Sequence, residues 1–519
     1  MMDEASRKIV SHKVKTAEEI AQIVGPRPRK KRVIMCHGTF DIVHPGHVRH
    51  LLYAKSKSDI LVASLTADAH ILKANFRPYV PQELRAFNLA ALECVDYVLI
   101  DNDPTPIKNI GIIKPDYFAK GYEYTKDGLH PRTKEEKVAV EEYGGELLFT
   151  PGDIVYSSSN IIETEPPAIA TEKLIALLEA EGLNINSLYD SLDGLRGVRV
   201  HVLGDTIVDS YTHCALIGGM SKTPTMSVRL DSKTDFVGGA GIVAKHLKAA
   251  GAEVTFSTVL GTDALAGFVL DDLKKAGVVC MPIIDDTRPT TNKNAIVAGG
   301  YNLLKVDTVD NRSISSRIMR TLTQQIADTE SDIVVFSDFR HGIFNRDTIP
   351  PLTAAIPKGS FRVADSQVAS RWGNILEFQG FDLITPNERE SRFALGDQDS
   401  VVRPLGLALY ERAGCKTLIL KLGERGLMTF RNIPKTDEDV RSFFALDTFA
   451  EKVKDAVGSG DALLAYASLS LFTTKSAVIA SVLGSFAAAI ECEHEGNVPV
   501  KPKDVIDKIQ HFERMARYG

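Results

Sequence analysis

Two stretches of this chain set chemistry-bearing side chains beside glycines at spacings that suit phosphate. The first is His37-Gly38-Thr39-Phe40-Asp41-Ile42-Val43-His44-Pro45-Gly46-His47. It follows an apolar run, Val33–Cys36, and leads into a helical pattern, Val48–Ser56. Glycine after a strand lets backbone approach an anion closely, and the helix behind it offers N–H groups that lack intrahelical partners. His44 and His47 are three apart, so at the start of one helix they project from the same side. Two imidazoles above a helix N-terminus suit the oxygens of a triphosphate. As two lone histidines they would read more simply as surface or core side chains beside a tight turn; the whole string argues for phosphate. A metal site built from His44, His47 and His50 lacks a carboxylate or thiol at matching spacing.

The second stretch is Asp455-Ala456-Val457-Gly458-Ser459-Gly460-Asp461-Ala462-Leu463-Leu464. Here two glycines flank a serine, and a carboxylate opens a long apolar helix. The turn would present backbone N–H groups to a phosphoryl group in transfer, with Asp461 placed to accept a hydroxyl proton. An alcohol acceptor must lose a proton, so a carboxylate base has a role. The plain alternative is that Asp461 only caps the helix.

The elements that must hold these residues alternate. Strands are expected at Val33–Cys36, Ile60–Leu65 and Tyr97–Ile100, with helices at Val48–Ser56 and Pro81–Leu92. Such alternation predicts a parallel sheet covered by helices on both faces. The unit closes near Glu163, and Glu165-Pro166-Pro167 interrupts the pattern. An amphipathic helix follows at Thr171–Ala180, with Leu174, Ile175, Leu177 and Leu178 on one side. A second series has strands at Val200–Leu203, Val254–Val259, Ile333–Ser337, Arg362–Ala364, Leu383–Thr385 and Thr417–Leu420. Its last long helices run from about Asp461 onward. The expected division is a polar extension over 1–30, a domain over 31–165, a linker helix within 166–196 and a domain over 197–519. The second series is expected to form a single large doubly wound domain.

Composition narrows the class. At 519 residues the chain is too long for one ordinary core. Apolar content of 44% and charged content of 25% are those of a globular protein. A net charge of -6 gives no global attraction to nucleic acid or an anionic membrane. The basic run Arg27–Arg32 is short and reads as a solvated lead-in. Cys36, Cys94, Cys214, Cys280, Cys415 and Cys492 are scattered without a CxxC pair, so reduced thiols in a cytoplasmic protein are expected. The N-terminus lacks the apolar core of a signal peptide, and no segment reaches the about 18 apolar residues of a membrane span.

The string Gly38–His47 resembles the HxGH signature of the cytidylyltransferase-like nucleotidyltransferases. Lys73, Arg77-Pro78, Arg85, Lys120-Gly121 and Tyr156-Ser157-Ser158-Ser159-Asn160-Ile161-Ile162 match further motifs of that family in order. The resemblance covers about 33–163. It implies a Rossmann-like domain in which His44 and His47 contact the NTP phosphates as pyrophosphate leaves. Lys73 would neutralise phosphate charge, and Gly38, Thr39, Phe40, Ser157, Ser158 and Ser159 would line the nucleotide. Lys120 would lie on the substrate side, and Arg85 serves equally well as a structural ion-pair partner. A sugar 1-phosphate nucleophile is already anionic and needs no general base, so alignment and charge stabilisation suffice.

The second series resembles the ribokinase-like (PfkB) sugar kinases over about 197–519. Gly204-Asp205, Gly238-Gly239-Ala240, Thr385-Pro386-Asn387-Glu388-Arg389-Glu390, Lys421-Leu422-Gly423-Glu424-Arg425-Gly426 and the Gly458–Asp461 loop carry the resemblance. It implies Asp461 as catalytic base and Gly458, Ser459 and Gly460 as an anion hole. Asn387 and Glu390 would organise the phosphates and Mg²⁺, with Glu390 the metal-side carboxylate. Lys421, Gly423 and Gly426 would line the ATP site, while Asp205, Gly238 and Gly239 would bind the sugar. For Asp205 a turn residue, and for Glu390 a solvated helix face, stay open as plainer readings. The sequence departs from the family in two places. Ile242 stands where an asparagine usually meets sugar hydroxyls, and an isoleucine cannot hydrogen-bond one. Gln367 stands where heptose kinases tend to carry a lysine.

Together the two domains resemble the bifunctional heptose-7-phosphate kinase/heptose-1-phosphate adenylyltransferase family of ADP-heptose synthesis, with the domain order reversed. That resemblance implies ATP as phosphoryl donor, ATP or alternatively CTP as nucleotidyl donor, Mg²⁺, and room for a monovalent cation. It also implies sugar phosphates and nucleotides as small-molecule partners, and a homodimer. Another nucleotide-activated sugar or polyol, or a regulatory protein with one silent domain, are the alternatives. Retention of Asp461, the GSG turn and the HPGH string argues against silence.

Overall fold

The computed structural model describes residues 11–71, 78–121, 131–150, 170–218, 227–367, 375–431, 442–494 and 496–518. Two compact units meet in sequence between Ala180 and Glu181. The helix Ala170–Ala180 therefore belongs to the first unit and the next helix, Ile185–Asp193, to the second.

The first unit contains a five-stranded sheet of β1 (Val33–Gly38), β2 (Ile60–Thr66), β3 (Tyr97–Asp101), β4 (Tyr117–Gly121) and β5 (Glu146–Thr150). The order is β3-β2-β1-β4-β5 and every pairing is parallel. Both faces are covered, which explains why the strands read as unbroken apolar runs. Ile34, Cys36, Leu61 and Ala63 enter the core on one face, while Val33, Met35 and Val62 enter the core on the other. The direction of strand addition reverses between β1 and β4. Ligands of open α/β sheets bind outside the carboxyl ends of strands at such a reversal. His37-Gly38 and Lys120-Gly121 are those carboxyl ends.

The second unit is built on nine strands: β6 (Arg199–Gly204), β9 (Glu253–Leu260), β10 (Val279–Ile284), β13 (Ile333–Asp338), β14 (Phe361–Ser366), β15 (Leu383–Ile384), β16 (Thr417–Lys421), β17 (Leu427–Arg431) and β18 (Phe443–Leu446). Their order is β10-β9-β6-β13-β14-β15-β16-β17-β18, parallel up to β16 and antiparallel beyond it. Central β13 is buried along its whole length. The helix Ser459–Thr474 is buried continuously from Asp461 to Leu471 and packs on the helix Ala477–Cys492. An all-round apolar surface of this kind marks a core helix.

A second sheet was absent from the sequence expectation. It comprises β7 (Thr206–Gly218), β8 (Ser227–Gly239), β11 (Asn292–Ala298) and β12 (Tyr301–Thr308), in the order β12-β11-β7-β8. A doubly wound series accounts for the nine strands and not for these four. The physical reason is composition: β8 carries Asp231-Ser232-Lys233-Thr234 on exposed positions and then a half-buried Asp235, which reads as a loop. Among the described residues no helix is long and apolar enough to cross a membrane.

Candidate active sites

In the first unit β1 ends at Gly38, and the chain turns through Phe40, which adopts a left-handed φ of 49°. Asp41 is buried and its carboxylate accepts the N–H groups of Tyr79 (3.0 Å) and Val80 (2.7 Å), fixing this turn against the chain that precedes the next helix. His44 then caps the helix Pro45–Ser56, its Nδ1 accepting from the Gly46 N–H at 3.1 Å. A Cβ on residue 46 would lie 2.9 Å from the His44 ring, so glycine is what permits the ring to fold back. The His44 and His47 rings stack, with centroids 3.9 Å apart and planes 23° from parallel. Phe40 meets His47 edge-on at 5.1 Å.

These contacts assign the tautomers. His44 accepts at Nδ1, so its proton sits on Nε2, a donor suited to an anion. The Nδ1 of His47 faces the Ile42 carbonyl oxygen at 3.1 Å and must carry a proton. Its Nε2 donates to a phosphate oxygen only when the ring is an imidazolium. The pair supplies one neutral and one chargeable donor above a helix N-terminus.

Other histidines nearby are structural. His37 bridges Ser64 (2.9 Å) and Thr66 (3.2 Å), and burial, reinforced by the Lys120 charge, lowers its pKa to about 3. His50 contacts Thr150 Oγ1 at 2.7 Å and is lowered to about 4, again by burial and then Lys120. Lys120 is itself buried, 2.9 Å from Glu136. Arg85, fully buried, donates to the Thr39 and Thr66 carbonyls and to Asp68, so it braces the turn from below. Lys73 and Ser157, Ser158 and Ser159 fall outside the described residues.

In the second unit, a cavity of about 650 Å³ opens between the carboxyl ends of the parallel strands and one face of the four-stranded sheet. Asn387, Glu390, Lys421, Gly423, Gly458, Ser459, Gly460 and Asp461 line it together with Gly239. Gly458 occupies the cap position of the helix Ser459–Thr474 with φ 85° and makes no side-chain cap. Asp461, in the first turn and 7% exposed, is therefore not the helix cap. The first N–H groups of a helix have no carbonyl four residues back, so this turn offers donors to an anion.

Electrostatics at this end of the cavity are dense. Burial drives the Asp461 carboxyl well above the usual range, with Asp365 adding to the rise and Lys421 opposing it. The Lys421 Nζ lies 3.1 and 3.2 Å from the two Asp365 oxygens. Glu390 is 5% exposed rather than solvated, and burial raises its carboxyl to about 7 against the pull of Lys421. It forms a capping box with Asn387, accepting the Asn387 backbone N–H at 2.7 Å. No group of three potential metal ligands occurs among the described residues. Mg²⁺ is held by one or two carboxylates plus substrate phosphates, and Glu390 is a carboxylate on this wall of the cavity.

On the sugar side the structure distributes the expected residues differently. Asp205 does not line the cavity. Its buried carboxylate accepts the N–H groups of Phe339, His341 and Ile343 at 3.1–3.3 Å and holds that loop. Gly238 is also outside the lining, as is Gly426, whose φ of 81° serves the turn before β17. Gly239 starts the helix Ala240–Ala249 with φ 59° and reaches the cavity. Ile242 is buried in the core, whereas Gln367 lines the cavity. On β7 the carboxylate that lines the cavity is Asp209, with Ile207 and Tyr211 at the alternate positions. Sequence reasoning missed Asp209, although its two-residue spacing from Ile207 and Tyr211 was the available signal. Lys293 on β11 and Lys305 and Asp307 on β12 complete that wall.

Residues 199–504 match the family model described as pfkB family carbohydrate kinase. The chain belongs to the pfkB family of carbohydrate kinases. Residues 35–164 ahead of the pfkB region match the model described as cytidylyltransferase-like. Bifunctional protein HldE of Geobacter sulfurreducens is 40% identical over 154 residues, which cover 29% of this chain and 30% of that one. Bifunctional protein HldE of a Nitratiruptor species is 26% identical over 326 residues, 62% of this chain and 66% of that one. The matched stretches thus span about 30% of the length in the first case and just under two thirds in the second. The pfkB fold also appears in phosphofructokinase-2 from Escherichia coli, solved with substrates and products. The two share a TM-score of 0.50 and 18% identity over 61% of this chain and 100% of that one.

Proposed function

We propose that this chain activates a sugar in two reactions. In the pfkB unit ATP phosphorylates O1 of a sugar phosphate, heptose 7-phosphate in the most specific form of the reading. In the first unit ATP transfers its nucleotidyl group to a sugar 1-phosphate, giving ADP-heptose and pyrophosphate. The observation that carries the proposal is the kinase cavity. A buried carboxylate sits behind a glycine-bearing helix start at one end, and Asp209, Lys293 and Lys305 stand at the other.

In the kinase step Asp461 accepts the O1 proton as that oxygen attacks the γ-phosphorus, and the amides at the Gly458–Gly460 turn hold the charge that builds on the phosphoryl oxygens. Lys421 opposes the rise of the Asp461 carboxyl and favours its ionised form. Mg²⁺, when bound, would neutralise phosphate charge, and Glu390 with Asn387 on the cavity wall would organise it. Lys293 and Lys305 line the same wall, where their charges act on Asp209, and they supply positive charge for a second anionic group on the sugar. In the transfer step the sugar-phosphate oxygen attacks the α-phosphorus. His44 Nε2–H and protonated His47 stabilise the pyrophosphate as it departs.

A cytoplasmic homodimer is proposed for the assembly. Leu304 and Val306, exposed and alternating with Lys305 and Asp307, give the far side of the four-stranded sheet an apolar surface that a second copy would cover. ADP release measured on a panel of free and phosphorylated sugars tests the first reaction, and pyrophosphate release with ATP against CTP tests the second. Turnover only with unphosphorylated sugars, or faster transfer from CTP, would contradict the respective half.

A further inference from the structure

Asn497 lies in the loop after the helix Ala477–Cys492, 4% exposed, on the wall of the kinase cavity. Its Nδ2 donates to Asp209 Oδ2 at 2.9 Å. Two signature glycines are shaped around this side chain. A Cβ on Gly238 would collide with Asp209 Oδ2 and come within 2.9 Å of Asn497 Nδ2. A Cβ on Gly458, in the phosphate turn, would lie 2.8 Å from Asn497 Oδ1 and 2.9 Å from Glu491 Oε1. One amide thus spans the gap between the sugar-facing carboxylate and the phosphate turn.

The hydrogen bond to Asp209 fixes which way that amide points. Set between two carboxyl groups, an amide donates to one and turns its oxygen toward the other. Burial raises the Asp209 carboxyl above its ordinary range; the hydrogen bond from Asn497 and the charges of Lys293 and Lys305 on the four-stranded sheet favour its ionised form against that rise, and Asp455 adds to it. Glu491 is buried, accepts the Val498 N–H at 3.0 Å, and has a second oxygen without a hydrogen-bond partner. It faces the charges of Asp455 and Lys245, and burial pushes its carboxyl up to about 8. The Asn497 Oδ1 is likewise buried without a hydrogen-bond partner, so the contact this amide makes is the N–H it donates to Asp209.

We propose that Asn497 is a positioning residue for sugar binding: its amide pins Asp209 Oδ2 and so leaves the other carboxylate oxygen directed at a substrate hydroxyl. The assignment rests on the kinase reading of this cavity. It supplies a polar side chain on the sugar side, where Ile242 is sealed in the core.

The test compares Asn497→Asp, which keeps the shape and loses the donor, with Asn497→Ala. Losing a hydrogen bond to a charged group costs about ten- to a hundredfold. Asn497→Asp is expected to raise KM for the sugar by about that factor and to leave KM for ATP within about twofold. The acid limb of kcat/KM should move to higher pH, because a hydrogen bond to a carboxylate favours its charged form. Asn497→Ala should do the same more weakly. Normal sugar KM and an unmoved acid limb in Asn497→Asp would overturn the proposal, as would a reversed order with both KM values disturbed, the mark of a packing role. A ¹³C-carboxyl titration of Asp209 in the full chain needs no turnover. Its midpoint should rise in Asn497→Asp, and an unchanged midpoint also overturns the proposal. Absence of sugar-dependent ADP release in the unaltered chain would contradict the kinase reading, while the Asp209 titration still decides the role of Asn497.

Discussion

Replacing Asp461 with asparagine isolates the proton transfer from everything else in the kinase site. The swap is nearly isosteric, and the helix start is indifferent to it, since Gly458 is the cap residue and no side chain caps that end. Lys421 is not orphaned, because it keeps both Asp365 oxygens at 3.1 and 3.2 Å. Removing a carboxyl that burial already disfavours should leave the unfolding temperature unchanged or slightly higher. What is lost is the base, which contributes about 10²–10⁴-fold, a barrier increase of about 3–5 kcal/mol. ADP release on the best sugar phosphate reads that loss, and pyrophosphate release from the same preparation is the internal control and should not change. The unaltered enzyme should also show an acid limb above the ordinary carboxylate range, because desolvation raises this group, and the variant should lack it. A kcat within about threefold of the unaltered chain would refute the assignment of Asp461 as base.

His47→Ala should do the converse: pyrophosphate release falls about 10²–10³-fold, as expected when one transition-state donor is removed, while ADP release is retained; equal rates would reject the role of the stacked pair. Replacing Lys293 and Lys305 together by alanine should raise KM for a phosphorylated sugar at least about tenfold and leave an unphosphorylated analogue unaffected; a uniform effect on both would place the second phosphate elsewhere. Glu491→Gln should alter stability in a pH-dependent way. The folded carboxyl titrates at about 8 against an ordinary 4.5, so between these values the folded chain holds a proton the unfolded chain has released. Stability then falls as pH rises through that window, by up to about 1.4 kcal/mol per pH unit, and the glutamine variant removes this contribution. Denaturant midpoints at about pH 5.5 and about pH 7.5 measure it, and identical pH slopes in the two proteins would contradict it.

The parallel strands were legible because burial on both faces turns them into short apolar runs, as at Val33–Cys36 and Ile333–Ser337. The phosphate turns were legible because glycine, histidine and aspartate cluster in sequence there. The four-stranded sheet was not, since strands open to solvent on one face carry polar residues that resemble loops. Its invisibility hid Asp209, Lys293 and Lys305, which only strand pairing gathers on one wall. Asp205 attracted attention by following a strand-end glycine, yet the backbone needs its carboxylate for three amides of the 339–343 loop. Asn497 and Gly458 are far apart in the chain, and nothing in local pattern reports that they touch.

If one chain carries two working phosphate-transfer sites, both must act in a single reaction. The most direct test is a ³¹P spectrum of a single reaction holding this protein, ATP, Mg²⁺, heptose 7-phosphate and a phosphatase specific for the 7-position. Resonances of ADP, pyrophosphate and a sugar-linked diphosphate should appear together; Asp461→Asn should abolish all three, and added sugar 1-phosphate should restore pyrophosphate and the sugar-linked diphosphate but not ADP. A spectrum in which the sugar is never phosphorylated at O1, or in which added sugar 1-phosphate yields no diphosphate, would contradict the account.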